Sequence, residues 1–192
     1  MADTDANGGI TMNRRRAIFG MAAAAAIPVS LRADDAATWT AWWERSKKYT
    51  LAIAEAMPAA DYNFAPFGSG AAEAVRSGDG ARTFGALMQH IGQAEGFYLG
   101  RFGKGGPPPA APTNDTGKEA TIKYLNAVLD WSINVVKQLT PADLTNQVTA
   151  GRGNPMTGLD AMLNAMVHTA HTRGYSDMYL RNKGVKPPTY QV

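Results

Sequence analysis

Three histidines and no cysteine occur in the 192 residues, so any divalent metal bound by this chain must be held through nitrogen or oxygen. The three are His90, His168 and His171. On a helix, side chains three or four positions apart share a face, which lets His168 lean toward one point with either His171 or Thr172. A further donor has to come from another segment, and His90 meets that need. Imidazole suits zinc, nickel, copper or ferrous iron, and three protein ligands with one open position leave room for a water or a substrate atom. The competing reading is that a buried helical histidine is more often a hydrogen-bonded packing residue.

Other chemistries find less support. Neither the Glu-x-x-His pairing of di-iron bundles nor the His-Glu-x-x-His of zinc proteases is spelled anywhere in the chain. Ser46, Ser132 and Ser176 stand in no nucleophile-elbow context, and the Gly/Pro-rich stretch 103–112 has no phosphate-binding spelling. Trp39, Trp42 and Trp43 fall at helical spacing, which favours core or dimer-interface packing over a ligand platform.

Positioning His90 against His168 requires helices that pack side by side. Four amphipathic segments are legible. The first spans about 36–57 and stops at Pro58. The second opens on Thr83 as N-cap and carries Phe84, Leu87, Met88, Ile91, Ala94 and Tyr98 on one stripe up to the breaker at 103–109. The third opens on Thr116-Gly117-Lys118-Glu119, a capping-box spelling, with Ile122, Leu125, Leu129, Ile133 and Val136 following up to Pro141. The fourth starts at Thr157 with Asp160 three positions on, and runs to Lys183 with Gly184 as its C-cap. No stretch alternates with period two, so no strand is expected, and the fold class is all-α, a four-helix bundle.

Bulk properties narrow the partners. Of 19 basic residues, Arg14, Arg15, Arg16 and Arg32 lie in the first 33 positions, as do Asp3 and Asp5 of the 16 acidic ones. The remainder is therefore almost neutral and carries no basic excess suited to nucleic acid. Residues 1–33 have the grammar of an export signal: arginines, then an apolar run from Ala17 to Val29, then a polar break. Arg15, Arg16, Ile18 and Phe19 resemble a twin-arginine signal. The run is shorter than the roughly 20 residues a membrane-spanning helix needs, so the expectation is a periplasmic or otherwise exported protein with no stable span and one domain over 34–192.

The segment His168-Thr-Ala-His171-Thr172-Arg173-Gly174-Tyr175, continued by Tyr179-Leu180-Arg181-Asn182-Lys183-Gly184-Val185-Lys186-Pro187-Pro188-Thr189-Tyr190, resembles the closing motif of the DinB-like superfamily. Glu44-Arg45-Ser46-Lys47-Lys48-Tyr49-Thr50, the Ala56-Met57-Pro58 break and Thr83-Phe84-Gly85-Ala86-Leu87-Met88-Gln89-His90-Ile91 extend the likeness over 34–190. The resemblance implies a four-helix bundle, often a homodimer, with a divalent metal (zinc, nickel or iron) on one histidine of the second helix and two of the last. It implies a metal-dependent transferase or hydrolase acting on a small molecule. By position His90 and His168 match two ligands. The third belongs to a His-Arg-Gly-Gln element that reads Thr172-Arg173-Gly174-Tyr175 here, and a threonine hydroxyl is a poorer ligand than imidazole. His171 is turned about 100° from Thr172 around the helix. Tyr175 and Tyr179 follow His168 on its face as candidate substrate contacts or as packing residues. The alternative is a non-catalytic, small-ligand-binding member with an incomplete metal site.

Overall fold

Four long helices form where the apolar spacing places them, in a computed structural model that describes residues 33–66, 82–149 and 155–190. They are α1 (Ala33–Ala56), α2 (Phe84–Leu99), α3 (Lys118–Lys137) and α5 (Gly158–Asn182), with a short α4 (Pro141–Thr145) between the last two. α2 lies against both α3 and α5, while α1 packs mainly on α3. Trp43 and Ile53 of α1, Leu87 and Ile91 of α2, Leu125 and Leu129 of α3 and Met162 and Leu180 of α5 fill the shared interior. Mostly helical and bundled, the fold is the all-α class expected. The export signal proposed for 1–33 lies outside the described residues, apart from Ala33, where α1 begins.

Caps set the helix ends. Thr83 accepts a hydrogen bond from the Ala86 amide and starts α2, and Thr157 accepts from Asp160 N at 3.1 Å to start α5. At α3 the expected capping box does not form. Gly117 is the N-cap, without a side-chain cap, and its amide donates to Asp115 Oδ1 instead; Thr116 lies one residue too early to reach the first turn. A capping box does form at α4, where Thr140 and Asp143 satisfy each other's backbone amides. Gly184, at φ +71°, closes α5 in the left-handed region, with the Val185 amide donating back to Leu180 O. Lys118 Nζ, at the start of α3, donates to the carbonyls of Glu55 and Met57 at the end of α1, a cation on the negative pole of a helix.

A two-residue antiparallel pair, β1 (Gln147–Val148) with β2 (Met156–Thr157), corrects the expectation of no strands. It is too short for an alternating pattern to show in sequence, and it brings Thr157 to where α5 begins. Two glycines permit close approach. A Cβ on Gly85 would strike the backbone carbonyl of Thr116, and one on Gly158 would strike that of Asp143. Backbone cannot retreat as a side-chain tip can, so Gly85→Ala is expected to lower stability by about 2–4 kcal/mol, measured as a shift in the urea midpoint at unchanged slope.

Candidate functional site

The stripe that buries α2 places Met88, Ile91, Glu95 and Leu99 inward, and His90 falls one position aside, half-buried on the seam with α5. There it meets His168. The two rings lie 4.8 Å apart between centroids at 75°, and Tyr98, two turns on from His90, sits 6.5 Å from the His168 ring. The convergence of His90 and His168 from distant parts of the chain is thus realised.

Thr172, one turn beyond His168, is fully buried, and its hydroxyl has no hydrogen-bond partner. His171 goes elsewhere. At roughly 100° per residue it is turned about 60° from His168 and 100° from Thr172, which carries it to the exposed side of α5. There its ring meets Tyr175 edge-on at 4.9 Å. Among the described residues no three His, Asp or Glu side chains come together as a metal-ligand group. The two tyrosines also part: Tyr175 is exposed, whereas Tyr179 is buried against Phe64 and Phe84, with its hydroxyl donating to Arg82 O at 2.8 Å.

The carboxyl group furthest from its ordinary pKa is one that sequence reasoning passed over. Glu95 is almost inaccessible at the centre of the bundle. Its Oε1 accepts a hydrogen bond from Thr169 of α5 at 3.0 Å, while Oε2 has no hydrogen-bond partner. Burial pushes its pKa up to about 7, against the opposing pull of Ser132 and Thr169, the Arg173 guanidinium and the Trp43 indole. Ser132 spends its own hydroxyl proton on Val128 O, and the indole N–H of Trp43 is buried without a partner, so the carboxylate is incompletely satisfied. Arg173 ties α5 to α1 by donating from Nη1 to the Ser46 carbonyl and hydroxyl, both at 3.1 Å. The signal for Glu95 was available: it occupies a core position of the Met88–Ile91–Leu99 stripe, where a carboxylate has no business unless partnered.

At the far end of α2, Arg101 is buried over the rings of Phe97 (4.7 Å) and Tyr98 (5.8 Å), with Nε and Nη1 making no hydrogen bond. A cavity of about 780 Å³ lies away from the histidines, open to solvent between the end of α1 and the start of α3, with Glu55, Lys118, Glu119 and Lys123 on its walls.

A family model described as the DinB superfamily matches residues 42–176. The chain belongs to the DinB superfamily. Among solved structures, a DinB-like protein from Bacillus subtilis, YjoA, superimposes with a TM-score of 0.61 at 17% identity, over 80% of this chain and 98% of that one. No functionally curated protein matches. At that identity the structural likeness shows the fold alone, and it agrees with the DinB resemblance of the sequence.

Glu95 makes stability depend on pH in a definite direction. With its folded pKa near 7 against an ordinary value of 4.5, the folded state holds the proton more tightly than the unfolded state does. The contribution of Glu95 to stability is therefore greatest below pH 4.5, falls as pH rises to 7 and is flat above, a span on the order of 3 kcal/mol. Glu95→Gln is expected to raise Tm at pH 8 and to flatten the Tm profile between pH 5 and 7, as followed by circular dichroism.

Proposed function

We propose that this DinB-superfamily protein is a small-molecule-binding member in which His90 and His168 form the ligand-contacting pair, without a complete three-ligand metal centre. The observation that carries this is the meeting of two imidazoles at which no third His, Asp or Glu arrives from the described residues. Two neutral nitrogens and an alcohol oxygen are a weak donor set for a zinc-like ion, which is held in catalytic sites by three strong protein ligands. The donor set therefore does not fit the metal centre of the superfamily, and no reaction step is drawn through a metal. Arg101 supplies a buried cation beside Tyr98, whose ring lies 6.5 Å from that of His168, and a guanidinium with no carboxylate bonded to it among the described residues suits a small anionic ligand.

A second reading, a divalent-metal-dependent transferase or hydrolase, is favoured by one specific observation. The hydroxyl of Thr172 is buried, lacks a partner and follows His168 by one helical turn, so it stands at the position of the third ligand. Export of the mature chain to the periplasm, directed by 1–33, accompanies either reading and is supported by the order of arginines and apolar run in the leader.

Metal titration separates the two. The untagged full chain is expected to hold zinc, nickel or ferrous iron no more tightly than micromolar by calorimetry, and Thr172→His is expected to raise zinc affinity by about 100-fold, at some loss of stability from overpacking. Purification of the unaltered chain with one equivalent of firmly held metal, lost in both His90→Ala and His168→Ala, would sink the binding-only reading. For export, Arg15→Lys with Arg16→Lys should leave the precursor in the cytoplasm on fractionation; an unchanged periplasmic pool would refute the leader assignment.

A further inference from the structure

The seam between α1 and α5 holds two guanidinium groups and no carboxylate bonded to either. Trp42, Arg45 and Ser46 of α1, Met166 and Arg173 of α5 and Tyr190 of the returning tail surround a recess of about 20 Å³. Arg173 is 7% exposed, and its hydrogen bonds, to Ser46 O, Ser46 Oγ and Thr50 Oγ1, all leave from Nη1. A guanidinium is a planar fork with five N–H donors, so Nε and Nη2 keep theirs to offer at the recess. Arg45 is exposed and lies over the Trp42 ring at 5.0 Å. Neither arginine joins an ion pair among the described residues. Glu95 and Asp177 act on Arg173 through space, but Glu95 is bonded to Thr169 and Asp177 accepts from Tyr49.

Charge and shape together narrow the occupant. Two cations at one opening leave a positive potential that a guest anion would neutralise. The recess admits a single small polar group, about the size of a water molecule or one carboxylate head, so the bulk of any guest must lie outside it. What lies outside is aromatic. Trp42 and Tyr190 are 38% and 53% exposed, and their rings offer flat apolar faces beside the cations. A planar carboxylate matches the parallel N–H bonds of a guanidinium, and an inorganic phosphate would gain nothing from the aromatic walls. The recess lies on the α1 side of α5, whereas His90 and His168 meet on its α2 side.

We propose that the recess between α1 and α5 is a second ligand site, separate from the imidazole pair. It takes a small organic carboxylate, whose head is gripped by Arg173 and Arg45 and whose flat apolar body lies against Trp42 and Tyr190.

Benzoate serves as the probe on the full chain, with acetate and inorganic phosphate beside it. Benzoate is expected to bind with a Kd of about 1 mM at low salt, and several-fold more weakly at high salt. In a nitrogen-labelled chain followed by magnetic resonance, it should shift the indole N–H signal of Trp42, identified by its loss in Trp42→Phe. The signal of Trp131, whose N–H donates to Gly106 O, should stay in place. Arg45→Gln should weaken benzoate about tenfold, and Arg45→Lys, which keeps the charge but not the fork, about threefold. Trp42→Ala should weaken benzoate about fivefold and leave acetate unchanged. Helicity should be unaltered in each, since both side chains are exposed. No shift of the Trp42 signal up to about 20 mM benzoate overturns the proposal, as does binding that survives Arg45→Gln and Trp42→Ala together. Phosphate binding more tightly than benzoate would assign the recess to inorganic oxyanions and overturn it too. If affinity falls in His168→Ala and holds in Arg45→Gln, benzoate sits at the imidazole pair; the recess proposal then fails while the reading of that pair stands.

Discussion

A carboxylate held out of water at the centre of the bundle constrains the elements around it. Glu95 takes one hydrogen bond, from Thr169 of α5, with Arg173 one turn on and with Ser132 of α3 and Trp43 of α1 close by. Arg173 in turn is anchored to Ser46 and Thr50 of α1, so that one polar core links three helices to α2. An apolar core tolerates small rotations of a helix. A buried carboxyl group tolerates them less, since losing the Thr169 hydrogen bond would leave it wholly uncompensated in low dielectric. The α2–α5 register that results is also the register that sets His90 against His168.

From the same register follows the division of labour along α5. With its inward face fixed by Thr169, Arg173 and Ser176, Thr172 turns toward the interior and His168 toward the seam, while His171 and Tyr175 are left outside. Within the Thr172-Arg173-Gly174-Tyr175 element, Arg173 is spent on the bond to Ser46 of α1, and the hydroxyl of Thr172 is buried without a hydrogen-bond partner. Gly174 and Tyr175 lie on the exposed outer face of the helix, away from the His90–His168 pair.

The terminal segments reinforce this arrangement. After Gly184 reverses the chain, the tail returns along α1, where Tyr190 stacks edge-on against Tyr49 at 5.1 Å and Tyr49 reaches Asp177 Oδ2 at 3.3 Å. The guanidinium of Arg173 lies over the same Tyr49 ring. Tyr190, half exposed, thus packs on the tyrosine ring that lies over Arg173, and a small recess lined by Trp42, Arg45, Ser46, Met166, Arg173 and Tyr190 lies beside them.

By itself the sequence determined the four helices, the N-caps at Thr83 and Thr157, the stop at Gly184 and the DinB resemblance, because helix periodicity and capping are local and each is written within a few residues. It also marked His90, His168 and His171 as candidate ligands, since few residue types bind metals and only three histidines exist, and the DinB resemblance matched His90 and His168 to two ligand positions. Tertiary structure alone decided that His171 faces outward, that Tyr179 is spent on the core and that Glu95 is left with a single hydrogen bond from across the bundle. Those outcomes depend on the rotation of α5 about its axis and on which partners reach across from other helices. Rotation is fixed by summed packing over the whole bundle, a non-local quantity that spacing along one segment cannot specify.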